Sequence, residues 1–195
     1  MILPSWPRYD RVSPVFLRTL SGWLTLHIHR VEEREMLAIL WSHLQLDYTD
    51  TAVIRAVEEM VKVKGLKIQD PDLISTICTY VTHFRIRSPI ILEGVGQYLM
   101  EQHHRLQPAQ VGVISQTFGQ LDFHPPNGFK FWELLENYLE HNFVKFTPFD
   151  IINMLVSFLY IERYPLNFTN KLFNPYFLER LHNQPEEVRQ LPLAP

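Results

Sequence analysis

The sequence predicts an all-α protein, specifically an alpha-solenoid of stacked helical hairpins with a period of about 37 residues. Three observations support this prediction. Apolar residues recur three and four positions apart, prolines stand at expected helix starts, and those prolines themselves repeat along the chain. A helical hairpin cannot bury its apolar face alone, so stacking would have to create the core.

Composition fits a folded chain and restricts its function. The 195 residues are 46% hydrophobic, which is enough for a substantial core. A net charge of −3 excludes a strongly basic nucleic-acid binder at the level of the whole chain, although a local basic patch remains open. The single cysteine, Cys78, excludes an internal disulfide framework, and we expect it to be a small core residue.

Helical elements follow one another through most of the chain. Dipeptides that end in proline mark four helix starts, because the first helical residue needs no N–H and the residue before it can cap. These dipeptides are Asp70-Pro71, Ser88-Pro89, Gln107-Pro108 and Thr147-Pro148. Apolar stripes that would face a core include Leu37, Leu40 and Leu44, then Ile74, Ile77 and Val81, then Ile151, Met154 and Phe158.

One segment has two interpretations. Val61 to Ile68 alternates as a β-hairpin strand would, but it also follows a helical stripe and contains Gly65. We favour a helix that ends at Gly65, since glycine readily adopts the left-handed conformation of a helix cap.

A repeat is predicted from the spacing of three prolines. Pro71, Pro108 and Pro148 lie 37 and 40 residues apart, and apolar residues follow each at the same offsets. A degenerate earlier unit would begin near Arg34, with Leu37 and Leu44 at matching offsets. The alternative is a non-repetitive helical bundle.

No catalytic constellation is recognisable, so we expect a protein without catalytic residues, metal site or cofactor. The seven glycines form no phosphate-binding loop, and the sequence has no zinc-protease, thiol-redox or serine-hydrolase motif. Glu133, Glu136 and Glu140 fall on one helix face and are expected to form a solvated acidic stripe.

The chain divides into four expected regions. Residues 1–30 would be a first helix or, alternatively, a mitochondrial targeting segment, since they hold four arginines and one acid. Residues 31–146 would hold the hairpin repeats, residues 147–183 a terminal region, and residues 184–195 a disordered tail. No apolar run is long enough to cross a bilayer, so a membrane partner is not expected.

Residues 129–182 contain a long and specific sequence motif. It starts with Phe129-Lys130-Phe131-Trp132, continues through Glu162-Arg163-Tyr164-Pro165-Leu166-Asn167-Phe168, and ends with Lys171-Leu172-Phe173-Asn174-Pro175-Tyr176-Phe177 and Leu178-Glu179-Arg180-Leu181. This run resembles the first conserved region of the FAST kinase domain-containing family, whose end would be residues 147–183. The repeats upstream resemble the family's degenerate helical repeats.

The resemblance implies mitochondrial RNA metabolism, with a location in the matrix and single-stranded RNA as partner. It does not imply a kinase, since no glycine-rich loop, catalytic lysine or H-R-D or D-F-G motif is present. The family's C-terminal RAP module has no counterpart in these residues, so its activity is not carried over.

Candidate RNA contacts are polar or aromatic residues opposite the apolar stripes and basic residues in nearby turns. Amides and hydroxyls can bond base edges, aromatic rings can stack on bases, and cations can bind phosphates. The candidates are Thr76, Thr79, His83, Arg85, Arg87, Gln116, Gln120, Lys145, Asn153, Tyr160 and Arg163. A protein-protein scaffold that recruits RNA-processing or ribosomal partners is the alternative function, and no small-molecule substrate is expected.

Overall fold

Residues 14–183 are described by the computed structural model, and within them the chain is all-α without strands. Short 3₁₀ turns join several helices, at Ile28–Arg30, Gly65–Lys67, His103–Arg105 and Leu166–Phe168. The helices are α1 (Pro14–His27), α2 (Glu33–Gln45), α3 (Thr51–Lys64), α4 (Pro71–His83), α5 (Pro89–Gln102), α6 (Pro108–Gln120), α7 (Gly128–Asn142), α8 (Pro148–Tyr160), α9 (Thr169–Leu172) and α10 (Pro175–His182).

All four predicted proline starts are confirmed, because α4, α5, α6 and α8 each begin at the proline. In α4, α6 and α8 the residue before the proline caps free backbone amides. Asp70 accepts from the amide of Asp72 at 3.0 Å, and Thr147 accepts from the amide of Asp150 at 3.1 Å. Gln107 forms a reciprocal capping box with Gln110.

The helical interpretation of Val61 to Ile68 is confirmed. α3 continues to Lys64, and Gly65 then takes a φ of 43°, in the left-handed region where glycine costs least. The strand alternative is excluded, since 3₁₀ structure follows directly.

Four helices, α2, α4, α6 and α8, are each 13 residues long and end in the same turn. The second residue after each helix has a positive φ, and the amide of the next residue donates to the carbonyl of the eleventh helical residue, as in a Schellman motif. The residues with positive φ are Asp47, Arg85, Asp122 and Glu162. The closing bonds run from Tyr48 to His43, Ile86 to Val81, Phe123 to Phe118 and Arg163 to Phe158, at 2.8–3.0 Å.

The same four helices bury their fourth residue, namely Met36, Ile74, Val111 and Ile151. This register corrects the prediction for α2, which begins at Glu33 and not at Arg34. Leu37 and Leu44 are only half-buried as a result, whereas Met36, Leu40 and His43 face the core. Cys78 is fully buried, as predicted.

The described residues form two compact units, residues 14–95 and residues 96–183, and α5 crosses the division. In the first unit α1 packs against α3, and α2 against α4. α2 and α4 run parallel, because ties join both their starts and their ends. Glu33 accepts from the amides of Gln69 and Asp70 at 3.0 and 2.9 Å, and Asp47 bonds His83 at 2.7 Å.

In the second unit α6 packs against α8 at very short range. A Cβ placed on Gly119 would lie 2.6 Å from the Cα of Ser157, so the two backbones touch there. Nearer the helix starts, a Cβ on Gly112 would lie 3.7 Å from the Cβ of Asp150. Because one contact lies near both helix starts and the other near both ends, α6 and α8 also run parallel.

Residues 14–30 of the predicted first region form α1 and a 3₁₀ turn. Residues 1–13, which carry much of the alternative targeting-segment prediction, and residues 184–195, the predicted tail, lie outside the described residues. Between residues 14 and 183, none of the helices has the length and hydropathy needed to span a membrane.

Candidate nucleic-acid interface

The predicted RNA contacts fall into both units. Thr79, His83, Arg85 and Arg87 lie exposed on α4 and the turn after it. Thr76, by contrast, is only 5% exposed and packs with the core of the first unit, so it cannot reach a base. The candidates in the second unit are Gln116, Gln120, Lys145, Asn153, Tyr160 and Arg163.

Three candidates occupy one equivalent position. His83, Gln120 and Tyr160 are each the thirteenth and last residue of a helix in the set of four. Gln45 is the thirteenth residue of α2. All four side chains can donate or accept a hydrogen bond, and Tyr160, which is 52% exposed, can also stack on a base.

Two further candidates occupy the position one turn earlier. Thr79 and Gln116 are the ninth residues of α4 and α6, and Trp41 and Val156 stand at the same place in α2 and α8. Residues four apart lie on the same helix face. We name the ninth and thirteenth residues of each of these helices a readout pair.

Sequence reasoning missed Trp41 and Gln45 as members of this set. Trp41 is 47% exposed and Gln45 is exposed, at the positions of Thr79 and His83. Their equivalence depends on the start of α2, which lacks a proline and is capped by Glu32 through a capping box with Glu35. An acidic residue followed three positions later by glutamate was the signal that could have given the register.

Basic candidates differ in how they are held. Arg85 is exposed at the positive-φ position of its turn, with a φ of 53°. Lys145 donates to the side chain of Asn142 at 3.0 Å and remains exposed. Asn153 is half-buried within α8.

Arg163 is held more tightly than the other basic candidates. Its Nε donates to Glu136 at 2.5 Å, and its guanidinium lies over the ring of Phe129, 5.5 Å from the ring centre. The Arg163 side chain is 25% exposed, so it is more a structural tie than an open phosphate contact.

The ion pair of Arg163 with Glu136 is one part of a larger connection, which we call the clasp, between α7 and the chain after α8. Glu140 accepts from Lys171 at 2.7 Å and from the side-chain amide of Asn167 at 2.9 Å. The Lys171 and Asn167 hydrogen bonds hold the pKa of the Glu140 carboxyl below its ordinary value.

Aromatic rings complete the clasp. Phe143, just after α7, stacks on Phe168 with ring centres 6.1 Å apart and meets Phe177 at 5.8 Å. The ammonium of Lys171 lies 5.3 Å from the ring centre of Phe168 and 5.5 Å from that of Phe143. Arg180 of α10 donates to the carbonyl of Phe146 at 3.0 Å.

The predicted solvated acidic stripe is wrong for Glu136, whose side chain is only 22% exposed, whereas Glu140 is exposed as predicted but is also paired with a cation. Glu136 and Glu140 bind cations of the clasp, and only Glu133 stays outside it. Many residues of the motif therefore stabilise the fold of the second unit. They include Arg163, Asn167, Phe168, Lys171, Phe177 and Arg180.

No group of three or more histidine, cysteine or acidic side chains within residues 14–183 could hold a metal ion. The paired histidines at His103-His104 accordingly have no third ligand nearby in this part of the chain.

The described residues are thus all-helical. They include four helices with the same length and terminal turn, and a clasp built mostly from residues of the long motif. Residues 114–182 match the family model described as FAST kinase-like protein, subdomain 1. The resemblance predicted from the motif is confirmed by this match.

Relatives extend the similarity to most of the chain. FAST kinase domain-containing protein 3, mitochondrial, of Mus musculus and of Bos taurus is 30% identical over 175 residues, which is 90% of this chain and 26% of each relative. FAST kinase domain-containing protein 1, mitochondrial, of Mus musculus is 21% identical over 160 residues, 81% of this chain and 19% of the relative. The chain thus spans about a quarter of the length of the first relatives. No solved structure matches it.

Proposed function

We propose that the chain is a non-catalytic, RNA-binding segment of a mitochondrial protein that acts in the processing, stability or translation of organelle transcripts. The observation that carries this proposal is the shared last position of α2, α4, α6 and α8, which holds Gln45, His83, Gln120 and Tyr160. Known helical-repeat RNA binders contact one base per repeat through two or three side chains. The word mitochondrial in the relatives' names supports the location.

The predicted solenoid belongs to the same proposal. We take α2, α4, α6 and α8 as the first helices of four repeats, because their starts lie 37 to 40 residues apart and their terminal turns are alike. Parallel packing of α2 on α4, and of α6 on α8, would set two readout pairs side by side in each unit. Each unit would then hold about two nucleotides, one per repeat.

Charge limits the affinity of such a segment. With a net charge of −3, few cations are available for phosphates, and each neutralised phosphate of a single strand adds about 0.7 to the salt slope. We expect weak, salt-sensitive binding that uses Arg85 and Arg87 of the first unit and Lys145 of the second.

Fluorescence anisotropy with labelled single-stranded RNA at about 50 mM salt tests the proposal. Tyr160→Ala should weaken binding about fivefold or more, because stacking on one base contributes about 1–3 kcal/mol. Phe173→Ala is the matched control, since this ring is 73% exposed outside the readout pairs. Absence of binding at this salt concentration, or equal loss in both variants, would overturn the proposal.

The double variant Arg85→Ala, Arg87→Ala tests the phosphate contacts separately. It should weaken binding and lower the salt slope by about 0.7–1.4, one or two phosphate contacts. An unchanged slope would mean that these arginines are only solvated.

A protein partner is the second candidate function. α1 exposes apolar side chains, with Phe16 61%, Trp23 50% and Leu26 80% exposed. Large exposed apolar side chains that lie together are typical of protein interfaces. A scaffold role would leave RNA affinity unaffected by Tyr160→Ala, so the anisotropy experiment separates the two functions.

A further inference from the structure

One side of α8 is apolar and only partly covered. The fifth, eighth and twelfth residues of the helix share this side, because they are three and four positions apart, and they are Ile152, Leu155 and Leu159. We call these three residues the open face. Ile152 and Leu155 are half-buried, and Leu159 is 52% exposed. Since α8 also buries Ile151, Met154 and Phe158 in the core, it has apolar side chains on two sides, which is typical of a helix with neighbours on both.

The helix α6 shows what the same positions do elsewhere in the second unit. Its fifth and twelfth residues, Gly112 and Gly119, face α8, since added Cβ atoms would lie 3.7 Å and 2.6 Å from atoms of that helix. Its eighth residue, Ser115, is fully buried. These positions of α6 therefore contact the next of the four alike helices, and a further helix of this set would cover the open face of α8.

A groove of about 410 Å³ lies at the start of the open face. Thr147 and Pro148 line it from the start of α8, one turn before Ile152. Asn183, the residue that follows α10, lines it as well. The chain after Asn183 therefore begins beside this groove.

The sequence that follows begins like α6. Pro185 lies 37 residues after Pro148, which is also the interval between the prolines that start α4 and α6. Gln184 precedes this proline as Gln107 precedes the first proline of α6, and Glu187 stands at the position from which a glutamine completes the capping box of α6. Residues 184–195 lie outside the described part of the chain, and their sequence predicts another helix start.

Apolar residues follow this start at the expected positions. Val188 and Leu191 would be the fourth and seventh residues of the helix. Pro192 limits the pattern to about two turns, because a proline disfavours the helical conformation of the residue before it. The fourth and seventh residues of α4, α6 and α8 are all buried, namely Ile74, Ile77, Val111, Ile114, Ile151 and Met154.

We propose that residues 184–191 dock on the start of the open face of α8 as the first turns of a fifth helix of the set. Val188 and Leu191 take the core positions, and the segment covers Ile152 and Leu155. Leu159 stays uncovered, because two helical turns are only about 10 Å long. The inference departs from the disordered tail expected for these residues, and it rests on the repeat assignment made under the proposed function, not on RNA binding.

Amide hydrogen exchange of the full chain, measured residue by residue by NMR, tests the docking. The amides of residues 188–191 should exchange about tenfold or more slowly than in a synthetic peptide of residues 184–195. In a helix that starts at Pro185 they are the first amides to bond backbone carbonyls, as the amides of Val111 and Ile151 do in α6 and α8. Exchange as fast as in the free peptide overturns the proposal.

Two substitutions on the open face locate the contact. Ile152→Asn should bring the exchange of residues 188–191 to within about twofold of the free peptide. Leu159→Asn is the matched control, since it places the same polar side chain on the same face beyond the reach of the segment, and it should leave the exchange unchanged. Protection that persists in Ile152→Asn, folded by its thermal unfolding curve, or that is lost equally in both variants overturns the proposal.

A third variant keeps the test independent of the fold of α8. Val188→Asn removes the contact from the segment itself and should abolish the protection of the other amides, and protection that persists there overturns the proposal. Protection that falls on dilution would mean that a second copy supplies the contact, which also overturns it. RNA affinity is measured separately by anisotropy, so either proposal can fail alone.

Discussion

The helix pairs α2/α4 and α6/α8 have the same length and the same terminal turn, but they are held together differently. Polar ties at both ends join α2 to α4, through Glu33 at the start and through Asp47 with His83 at the end. Tyr80 adds a bond of 2.5 Å to Thr49.

Small residues join α6 to α8 instead. The twelfth residue of α6 is Gly119 and the tenth of α8 is Ser157, whereas α2 and α4 carry Leu44 and Tyr80 at those positions. Two helix pairs with the same lengths and terminal turns are therefore joined in two ways, by polar side chains in one pair and by close packing in the other. The choice depends on side-chain size at two positions.

The largest expected effect comes from Gly119→Ala. The new Cβ would lie 2.6–2.8 Å from backbone atoms of Ser157, which cannot move aside without shifting α8. We expect a loss of about 3 kcal/mol in the free energy of unfolding, measured by urea denaturation.

Gly112→Ala on the same helix is the control for this substitution. Its Cβ meets Asp150 at an ordinary 3.7 Å, so the better helix propensity of alanine should stabilise by about 0.5–1 kcal/mol. Similar losses in both variants would refute the close-packed contact.

A smaller effect, of opposite sign, is expected for His43→Phe in the first pair. His43 occupies the core position that Val81, Phe118 and Phe158 fill in the other helices, and its buried Nε2 has no partner. Because Nδ1 lies 2.8 Å from the carbonyl of Ile39 and donates to it, Nε2 is an unsatisfied acceptor. We expect about 1–2 kcal/mol of stabilisation by urea denaturation.

His27→Phe is the matched substitution. Nδ1 of His27 makes the same contact, 2.9 Å from the carbonyl of Trp23, but the residue is only half-buried. Its change should be within about 0.5 kcal/mol of zero. Equal gains at both sites would count against a cost specific to the buried nitrogen.

The smallest effects test what the two pairs share. Arg85→Gly and Glu162→Gly each place glycine at a positive φ, where a side chain is disfavoured, so each should stabilise by about 0.5–1 kcal/mol. Asp47→Gly should gain less, because it also removes the bond to His83. Thermal unfolding measures all three, and unequal gains for Arg85 and Glu162 would show that the turns are not equivalent.

The sequence was sufficient to predict where the proline-marked helices begin, but it was insufficient to predict the register of α2 or the contacts between helices. Prolines at residues 71, 89, 108 and 148 mark their helices because ring geometry fixes the first helical residue locally. The start of α2 carries no such mark, and a shift of one residue hid the equivalence of Trp41 and Gln45 with the candidates of α4. The RNA contacts remain a prediction at every position except Thr76, which is buried.

The clasp could not be predicted from local pattern. Glu136 and Arg163 lie 27 residues apart, and Glu140 and Lys171 lie 31 apart, so their pairing depends on how α7 meets the chain after α8. On α7 alone, three glutamates at helical spacing are typical of a solvated face. The tertiary partners decide which of them stays in solvent.

The clasp has a practical consequence for anyone who mutates this chain in search of an activity. Alanine scanning guided by the motif would replace Arg163, Lys171 and Arg180 first. Each of these substitutions removes a cation whose contacts stabilise the second unit. Lower protein yield or faster degradation in cells would then mimic an inactivated enzyme. The soluble yield and the thermal unfolding curve of each variant should be measured before a chemical role is assigned to these residues.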